Sequence, residues 1–261
     1  MRFGAFVLSL FALLGVSPAA ARLPTTESPA FVAACGVDAA ADVARSARHA
    51  EVERDVRAHA LARHVRLREE AVDRVAPMRA AVEAELREMI ATSRAWVTDD
   101  AARARLDAAR LAWPEGDGTS GEIDLRRGCG GDLLVDDAWV DKHATSIAVC
   151  PGFLLVSASG DGAWQDAIAF LLAHEVGHVV VGPARGRDEE RAAEIAADRW
   201  ASRLLEARLA HVASSDRPAI VRRALEPICG PATDPVHPSG RDRIATASEA
   251  PAIADALRSG I

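Results

Sequence analysis

The chain has 261 residues, of which 49% are hydrophobic and 26% are charged, a composition typical of a globular protein. Its formal net charge of −7 argues against a nucleic-acid partner, because binding to phosphates requires a surplus of Lys and Arg. The chain contains no tyrosine, which excludes any mechanism that depends on a tyrosine hydroxyl.

The N-terminus has the pattern of a signal peptide. Arg2 precedes an apolar run from Ala5 to Val16, and Pro18-Ala19-Ala20-Ala21 offers a cleavage site with small residues. An apolar core of about 12 residues is too short for a typical bilayer span. We therefore predict that residues 1–21 are cleaved and that the protein is periplasmic or secreted. The mature chain is predicted to have no transmembrane span, with an uncleaved anchor or a peripheral membrane association as alternatives.

The segment that follows predicts helices. Residues 38–113 are rich in Ala, Arg, Glu and Leu and contain few breakers apart from Pro77, which favours two or three amphipathic helices. We assign residues 22–113 to an N-terminal helical region. Residues 114–132 are rich in Gly and other breakers and are interpreted as a linker.

Strands and the active-site helix are predicted in the remaining residues, 133–261, which we assign to a catalytic domain. Leu133–Val140 and Ser146–Val156 carry apolar runs typical of strands. A strand at the edge of a sheet can bind an extended peptide through backbone hydrogen bonds. Pro251–Leu257, near the C-terminus, is predicted to be helical.

The most informative motif is HExxH, at His174-Glu175-Val176-Gly177-His178. It lies within Ala163–Gly182, a segment that is apolar at helical spacing and predicts a helix. Residues four positions apart lie on the same face of an α-helix, so His174 and His178 can bind one zinc ion. Glu175 lies about 100° further round, where it can take the proton of a zinc-bound water during attack on a peptide carbonyl. Burying these polar side chains on an apolar helix is costly without such a partner.

The next predicted helix, Arg187–Leu209, supplies a third ligand. Glu194 and Asp198 lie one helical turn apart in the pattern ExxAD. We predict that Glu194 binds the metal and that Asp198 accepts a hydrogen bond from a metal-bound imidazole, which fixes its tautomer. Glu189 and Glu190 are rival ligands, although their position favours an exposed first turn of the helix.

A third motif follows at His237-Pro238-Ser239-Gly240-Arg241-Asp242-Arg243-Ile244. The order HExxH, ExxAD and HPxxxxRI resembles the gluzincin metallopeptidases that include HtpX-like, CAAX prenyl and Oma-type proteases, and the likeness extends from about Ala144 to Ala245. The resemblance implies an α+β, predominantly helical, zincin-like domain with a small β-sheet next to the HExxH helix.

The resemblance also implies a function, that of a zinc-dependent metalloendopeptidase acting on a protein or peptide substrate. By it, one zinc ion per chain is bound by His174, His178 and Glu194. Glu175 is the general base and acid, and Asp198 supports the ligands.

The His237 loop lies near the metal in proteins of this kind. By the resemblance, His237 contacts the substrate, assists the oxyanion or caps the zinc in a closed state. Because tyrosine is absent, stabilisation of the oxyanion is left to the metal itself and to a cationic or neutral donor such as His237, Arg241 or Arg243. Arg243 equally fits a structural ion pair.

Two other function classes remain. Only 15 residues, Val179–Ala193, separate His178 from Glu194, whereas many relatives have long helices or membrane segments there. The short interval also resembles the ImmA/IrrE regulatory peptidases, but those are intracellular, and the signal peptide argues against them. A non-catalytic zinc-binding or chaperone-like module is the third possibility, against which the intact Glu175 argues.

The four cysteines form an even set in a chain predicted to be exported, and none has CxxC spacing, so we predict two disulfides. Three pairings are possible. Cys129 and Cys150 are close together around a predicted hairpin, which favours that pair and leaves Cys35 to bond with Cys229.

Overall fold

The computed structural model describes residues 28–36, 40–112, 138–140, 143–159, 164–230 and 235–259. The first helices are α1 (Pro29–Cys35), α2 (Ala40–Arg63), α3 (Leu67–Val75), α4 (Arg79–Trp96) and α5 (Asp100–Ala108). The strands are β1 (Arg110–Ala112), β2 (Ala138–Val140) and β3 (Ser146–Val149). The remaining helices are α6 (Pro151–Ala158), α7 (Trp164–Val181), α8 (Arg187–Leu209), α9 (Arg217–Leu225), α10 (Gly240–Ala247) and α11 (Pro251–Ser259).

The N-terminal helical region contains four helices between residues 40 and 108, more than the two or three predicted. Pro77 lies in a 3₁₀ turn, Ala76–Met78, that separates α3 from α4. Proline has no backbone N–H to donate, so it favours a break at this point. The side chain of Asp99 accepts a hydrogen bond from the backbone N–H of Ala102 at 2.7 Å and thereby starts α5.

A three-stranded sheet in the order β1-β3-β2 lies beside the helices. The central strand β3 is buried along its whole length and pairs in parallel with β1 and antiparallel with β2. The strand predicted over Ser146–Val156 ends at Val149, and this part of the prediction is wrong. Proline at the first helical position starts α6 at Pro151 instead. Of the strand predicted over Leu133–Val140, residues 133–137 lie outside the described part of the chain.

Helix α7 forms the centre of the fold. Twelve of its eighteen residues are buried, and they lie on all sides of the helix rather than along one stripe. It packs most extensively against α8 and also contacts α4, α5, α9 and strand β2. The predominantly helical α+β fold, with a small sheet next to the HExxH helix, is therefore confirmed.

The two central helices, α7 and α8, approach closely at one glycine. A Cβ atom built on Gly177 would lie 2.7 Å from the Cα and 2.8 Å from the carbonyl oxygen of Ala197. No side chain fits at that distance, so glycine is required for α8 to lie this close to the HExxH motif. The small side chain of Ala197 is itself fully buried at the contact.

Both ends of α7 are held by arginines from other helices. The guanidinium of Arg105 donates to the carbonyl oxygens of Val179 (2.7 Å) and Val180 (2.6 Å), which have no partner within the last turn. At the start of α7, the buried carboxylate of Asp166 accepts from Arg208 at 2.9 Å and from Arg223 at 2.6 Å. These contacts fix the position of the helix along its axis.

A disulfide joins Cys35 to Cys229, as predicted, with the two Cα atoms 5.6 Å apart. Cys150 is also disulfide-bonded, but the predicted partner Cys129 lies outside the described residues, as do the signal peptide and the linker. Among the helices that the structure describes, none combines the length and the apolar character needed to cross a bilayer.

Candidate metal centre

Helices α7 and α8 bring three predicted ligands together. The Nε2 atoms of His174 and His178 are 3.0 Å apart. Glu194 places one carboxylate oxygen 3.3 Å from His174 Nε2 and the other 3.3 Å from His178 Nε2. Three side chains from two helices therefore converge on one point.

The dimensions of this triangle are close to those of a metal site. Two ligand atoms bound tetrahedrally to one zinc ion are about 3.3 to 3.6 Å apart, given metal–ligand bonds of about 2.0 to 2.2 Å. The two edges to Glu194, 3.3 Å each, lie in this range, and the edge between the histidines, 3.0 Å, is shorter. The ligand atoms of His174, His178 and Glu194 all lie within 4.8 Å of one another, and these residues could hold a metal ion. Oε2 of Glu194 is buried and makes no hydrogen bond of good geometry, although it lies 3.3 Å from Nε2 of His174. A bound cation would satisfy this oxygen.

Asp198 and Arg243 form a support behind His174. The Nδ1 atom of His174 lies 2.8 Å from Oδ1 of Asp198, so the ring can donate there and direct Nε2 towards the triangle. Arg243 donates to the same Asp198 carboxylate, from Nη2 at 2.7 Å and from Nε at 3.1 Å. The sequence left Arg243 open between an oxyanion donor and an ion pair, and the structure places it in this ion pair.

The charges of these groups agree with this arrangement. Burial and the Arg243 guanidinium lower the pKa of His174, but the carboxylates of Asp198 and Glu194 outweigh them and raise it to about 9. Burial raises the pKa of Glu194, yet the two imidazoles hold it well below its usual value of 4.5. The pKa of Asp198 is lowered in the same way, because His174 and Arg243 outweigh its burial. Both carboxylates are therefore ionised at neutral pH.

Glu175 follows His174 directly in α7 and is 4% exposed, so the residue next to a candidate ligand in the sequence is a buried glutamate. The rival ligands Glu189 and Glu190 are exposed on the first turn of α8. Glu189 accepts a hydrogen bond from the backbone N–H of Arg185 at 2.8 Å, outside the triangle. The geometry thus favours Glu194 over both.

His237 lies at the edge of the site. Its Nε2 is 3.7 Å from Oε1 of Glu194, beyond hydrogen-bond distance, and its side chain is 47% exposed. The loop that carries it is tied to α8, because Arg191 donates to the carbonyl oxygen of Pro235 at 3.2 Å. The structure therefore brings His237 beside the triangle but not into it.

Side-chain exposure increases across the site from His174 through His178 to His237. The side chain of His174 is 6% exposed and that of His178 is 19% exposed, while His237 is half-exposed. The side of the triangle that faces His178 and His237 is consequently the side from which a ligand can enter.

Comparison with protein-family models, with curated proteins and with solved structures gave no match for this chain. The functional interpretation therefore rests on the residues of the site and on their geometry.

Proposed function

We propose that this protein is a zinc-dependent metalloendopeptidase. The observation that supports it best is the triangle of His174, His178 and Glu194, with edges of 3.0, 3.3 and 3.3 Å, together with a buried Glu175 on the helix that carries the two histidines. Two imidazole nitrogens and one carboxylate oxygen are a ligand set of catalytic zinc sites, which keep a fourth position open.

A bound zinc ion supplies a Lewis acid that polarises a carbonyl group and makes water acidic enough to be deprotonated near neutral pH. Glu175 accepts the proton of the attacking water on its carboxylate and later delivers it to the leaving amine. Its burial favours this role, since a carboxylate shielded from bulk water exchanges protons with the reactants rather than with solvent.

The remaining residues position and stabilise these groups. Asp198 fixes the tautomer of His174, and Arg243 holds Asp198 in place through two of its nitrogens. His237, on the accessible side of the triangle, is the candidate donor to the oxyanion that forms on the substrate carbonyl. Arg243 is engaged by Asp198 and does not take this part.

The order of the three motifs supports a relationship to the gluzincin peptidases of the HtpX-like, CAAX prenyl and Oma-type kind. The Cys35–Cys229 disulfide is compatible with an exported protein. It fits an exported zinc peptidase better than an ImmA/IrrE-like regulator, which would work in a reducing compartment.

Hydrolysis of a peptide library tests this proposal. The purified zinc-loaded protein is incubated with quenched fluorescent peptides, beside the variants Glu175→Gln and Glu189→Gln. We expect Glu175→Gln to abolish cleavage while retaining zinc, because the amide keeps the shape of the site but cannot accept a proton. The exposed Glu189→Gln serves as the control and should cleave at the wild-type rate. Cleavage by Glu175→Gln at the wild-type rate would rule out the proposed mechanism.

A further inference from the structure

The Cys35–Cys229 disulfide lies next to the start of α10, the helix that carries Arg243 and so supports the proposed metal site. Cys35 ends α1, which packs against α9, α10 and α11. Cys229 follows a 3₁₀ turn at the end of α9. Both cysteines are buried, at 5% and 8% exposure, so the bond belongs to the packed interior rather than to the surface.

Helix α10 begins in contact with the backbone around Cys229. The N–H of Gly240, the first residue of α10, donates to the carbonyl oxygen of Gly230 at 2.8 Å. A Cβ atom on Gly240 would lie 2.5 Å from the carbonyl oxygen of Ile228 and 2.6 Å from the carbonyl carbon of Cys229. Helix α10 therefore starts in direct contact with the backbone that the disulfide anchors.

Helix α10 in turn reaches the metal site. It carries Arg243, whose guanidinium holds Asp198, and Asp198 holds Nδ1 of His174. The His237 loop leads into the same helix, which Ser239 caps by accepting a hydrogen bond from the N–H of Asp242. A displacement of the backbone at Cys229 would therefore move Gly240, and with it α10 and Arg243. Through Asp198, the shift would reach His174, a proposed metal ligand.

We propose that Cys35 and Cys229 act as positioning residues for the metal site, so that the site reaches its full affinity for zinc only when their disulfide is formed. This inference rests on the proposed zinc-dependent function. It adds a condition for that function. Cys35 and Cys229 are distant in sequence and neither is a ligand, yet they must be oxidised to a disulfide before the site binds zinc with full affinity.

The Cys35–Cys229 bond is broken and formed by thiol–disulfide exchange. A dithiol reductant transfers two electrons and two protons to the bond, leaving two cysteine thiols and its own cyclic disulfide. In a reducing compartment the bond does not persist, so a chain retained there would have a weak metal site. The folded bond is buried, and reduction after folding requires local opening.

Zinc affinity tests this proposal without any need for peptidase activity. The full mature chain is titrated with zinc chloride against a chromogenic chelator, as wild type and as Cys35→Ser/Cys229→Ser. We expect the double variant to bind zinc about tenfold more weakly or worse, since loss of support behind a metal-bound histidine has an effect of this size. Zinc binding with wild-type affinity by a folded double variant would overturn the inference.

A control separates positioning from general loss of stability. Val56 is fully buried in a small cluster between α2 and α3, so Val56→Ala should lower the melting temperature while leaving zinc affinity unchanged. Equal weakening of zinc binding by Val56→Ala and by the double cysteine variant would overturn a specific role of the disulfide.

A second variant keeps the test decisive if the double cysteine variant does not fold. Gly240→Ala leaves the disulfide intact but forces α10 away from the Cys229 backbone, and it should weaken zinc binding in the same way. Unchanged affinity in Gly240→Ala would overturn the proposed connection. If the wild type itself does not bind zinc, the proposed function fails rather than this inference alone.

Discussion

Among single residues, Asp198 makes the contact that most constrains His174, a candidate metal ligand. Its carboxylate is 1% exposed, receives the ring of His174 and is held by Arg243. An amide at this position would lose the ion pair and would leave the partly buried guanidinium of Arg243 without its anion. The metal site would then keep its three ligands but lose the group that orients one of them.

Replacement of Asp198 by Asn is expected to weaken zinc binding about 10- to 100-fold, because the tautomer and orientation of His174 are no longer fixed. Competitive titration with a chelator measures the effect. Asp188→Asn, which changes an exposed residue on the first turn of the same helix, should bind zinc as the wild type does. Equal affinities in the two variants would contradict the role given to Asp198.

The shifted pKa of His174 predicts a pH dependence. The folded pKa of about 9 lies above the unfolded value of 6.5, so the imidazole carries a proton at neutral pH that zinc must displace. The zinc dissociation constant should therefore fall about tenfold for each unit of pH between about pH 7 and pH 9. Without zinc, the corresponding stabilisation of the fold is fully present below pH 6.5 and is lost as the pH rises through about 9.

Isothermal titration in buffers of different ionisation enthalpy measures the protons released on zinc binding. A dissociation constant that does not change over this pH range would show that His174 is already neutral at pH 7.

His237 has two possible roles at the site, and one substitution distinguishes them. It lies on the accessible side of the triangle, 3.7 Å from Glu194. If it stabilises the oxyanion, His237→Ala should lower kcat about 10²-fold or more at unchanged zinc content. If it instead caps the metal in a closed state, the same change should raise basal activity. Kinetics equal to those of His211→Ala, an exposed control, would defeat both roles.

Among the elements, the contact between α7 and α8 determines whether the ligands meet. Glu194 reaches the two histidines only because residue 177 is a glycine. The backbone of Ala197 lies within 2.8 Å of the position that a Cβ atom on residue 177 would occupy. The HExxH motif leaves this position unspecified, and its glycine is needed for packing rather than for chemistry.

Gly177→Ala should lower the free energy of unfolding by about 1 to 3 kcal/mol, because the added methyl group forces the two helices apart. It should also weaken zinc binding, since Glu194 moves away from the histidines. Denaturant unfolding and metal titration measure the two effects. A Cβ atom on Gly186 would meet nothing within 4 Å, so Gly186→Ala should change zinc affinity little. Wild-type affinity in Gly177→Ala would show that the helices tolerate a wider separation.

For the molecule as a whole, local sequence patterns predicted the helices that carry the site. Helix α8 spans Arg187–Leu209 as predicted, and α7, Trp164–Val181, lies within the apolar segment Ala163–Gly182 that predicts it. Periodicity identifies such helices because their apolar spacing and their breakers are local properties. The strand predicted through Val156 was wrong, since an apolar run alone does not distinguish a buried strand from a buried helix and Pro151 starts α6.

Contacts between distant segments could not be predicted in this way. The HPxxxxRI spacing pointed to Arg243 but not to its partner Asp198, 45 residues away. The capping of α7 by Arg105 depends on a separation of 74 residues and has no local signature. The Cys35–Cys229 bond was predicted from the number of cysteines and the closeness of the other two, while its place beneath α10 required the structure.

Metal content tests most directly whether His174, His178 and Glu194 bind a metal ion. Elemental mass spectrometry of the purified protein should find about one zinc ion per chain in the wild type and in Glu190→Ala. Glu194→Ala should lose most of the zinc, because one side of the triangle is removed. Full zinc occupancy in Glu194→Ala, or no metal in the wild type, would contradict the account.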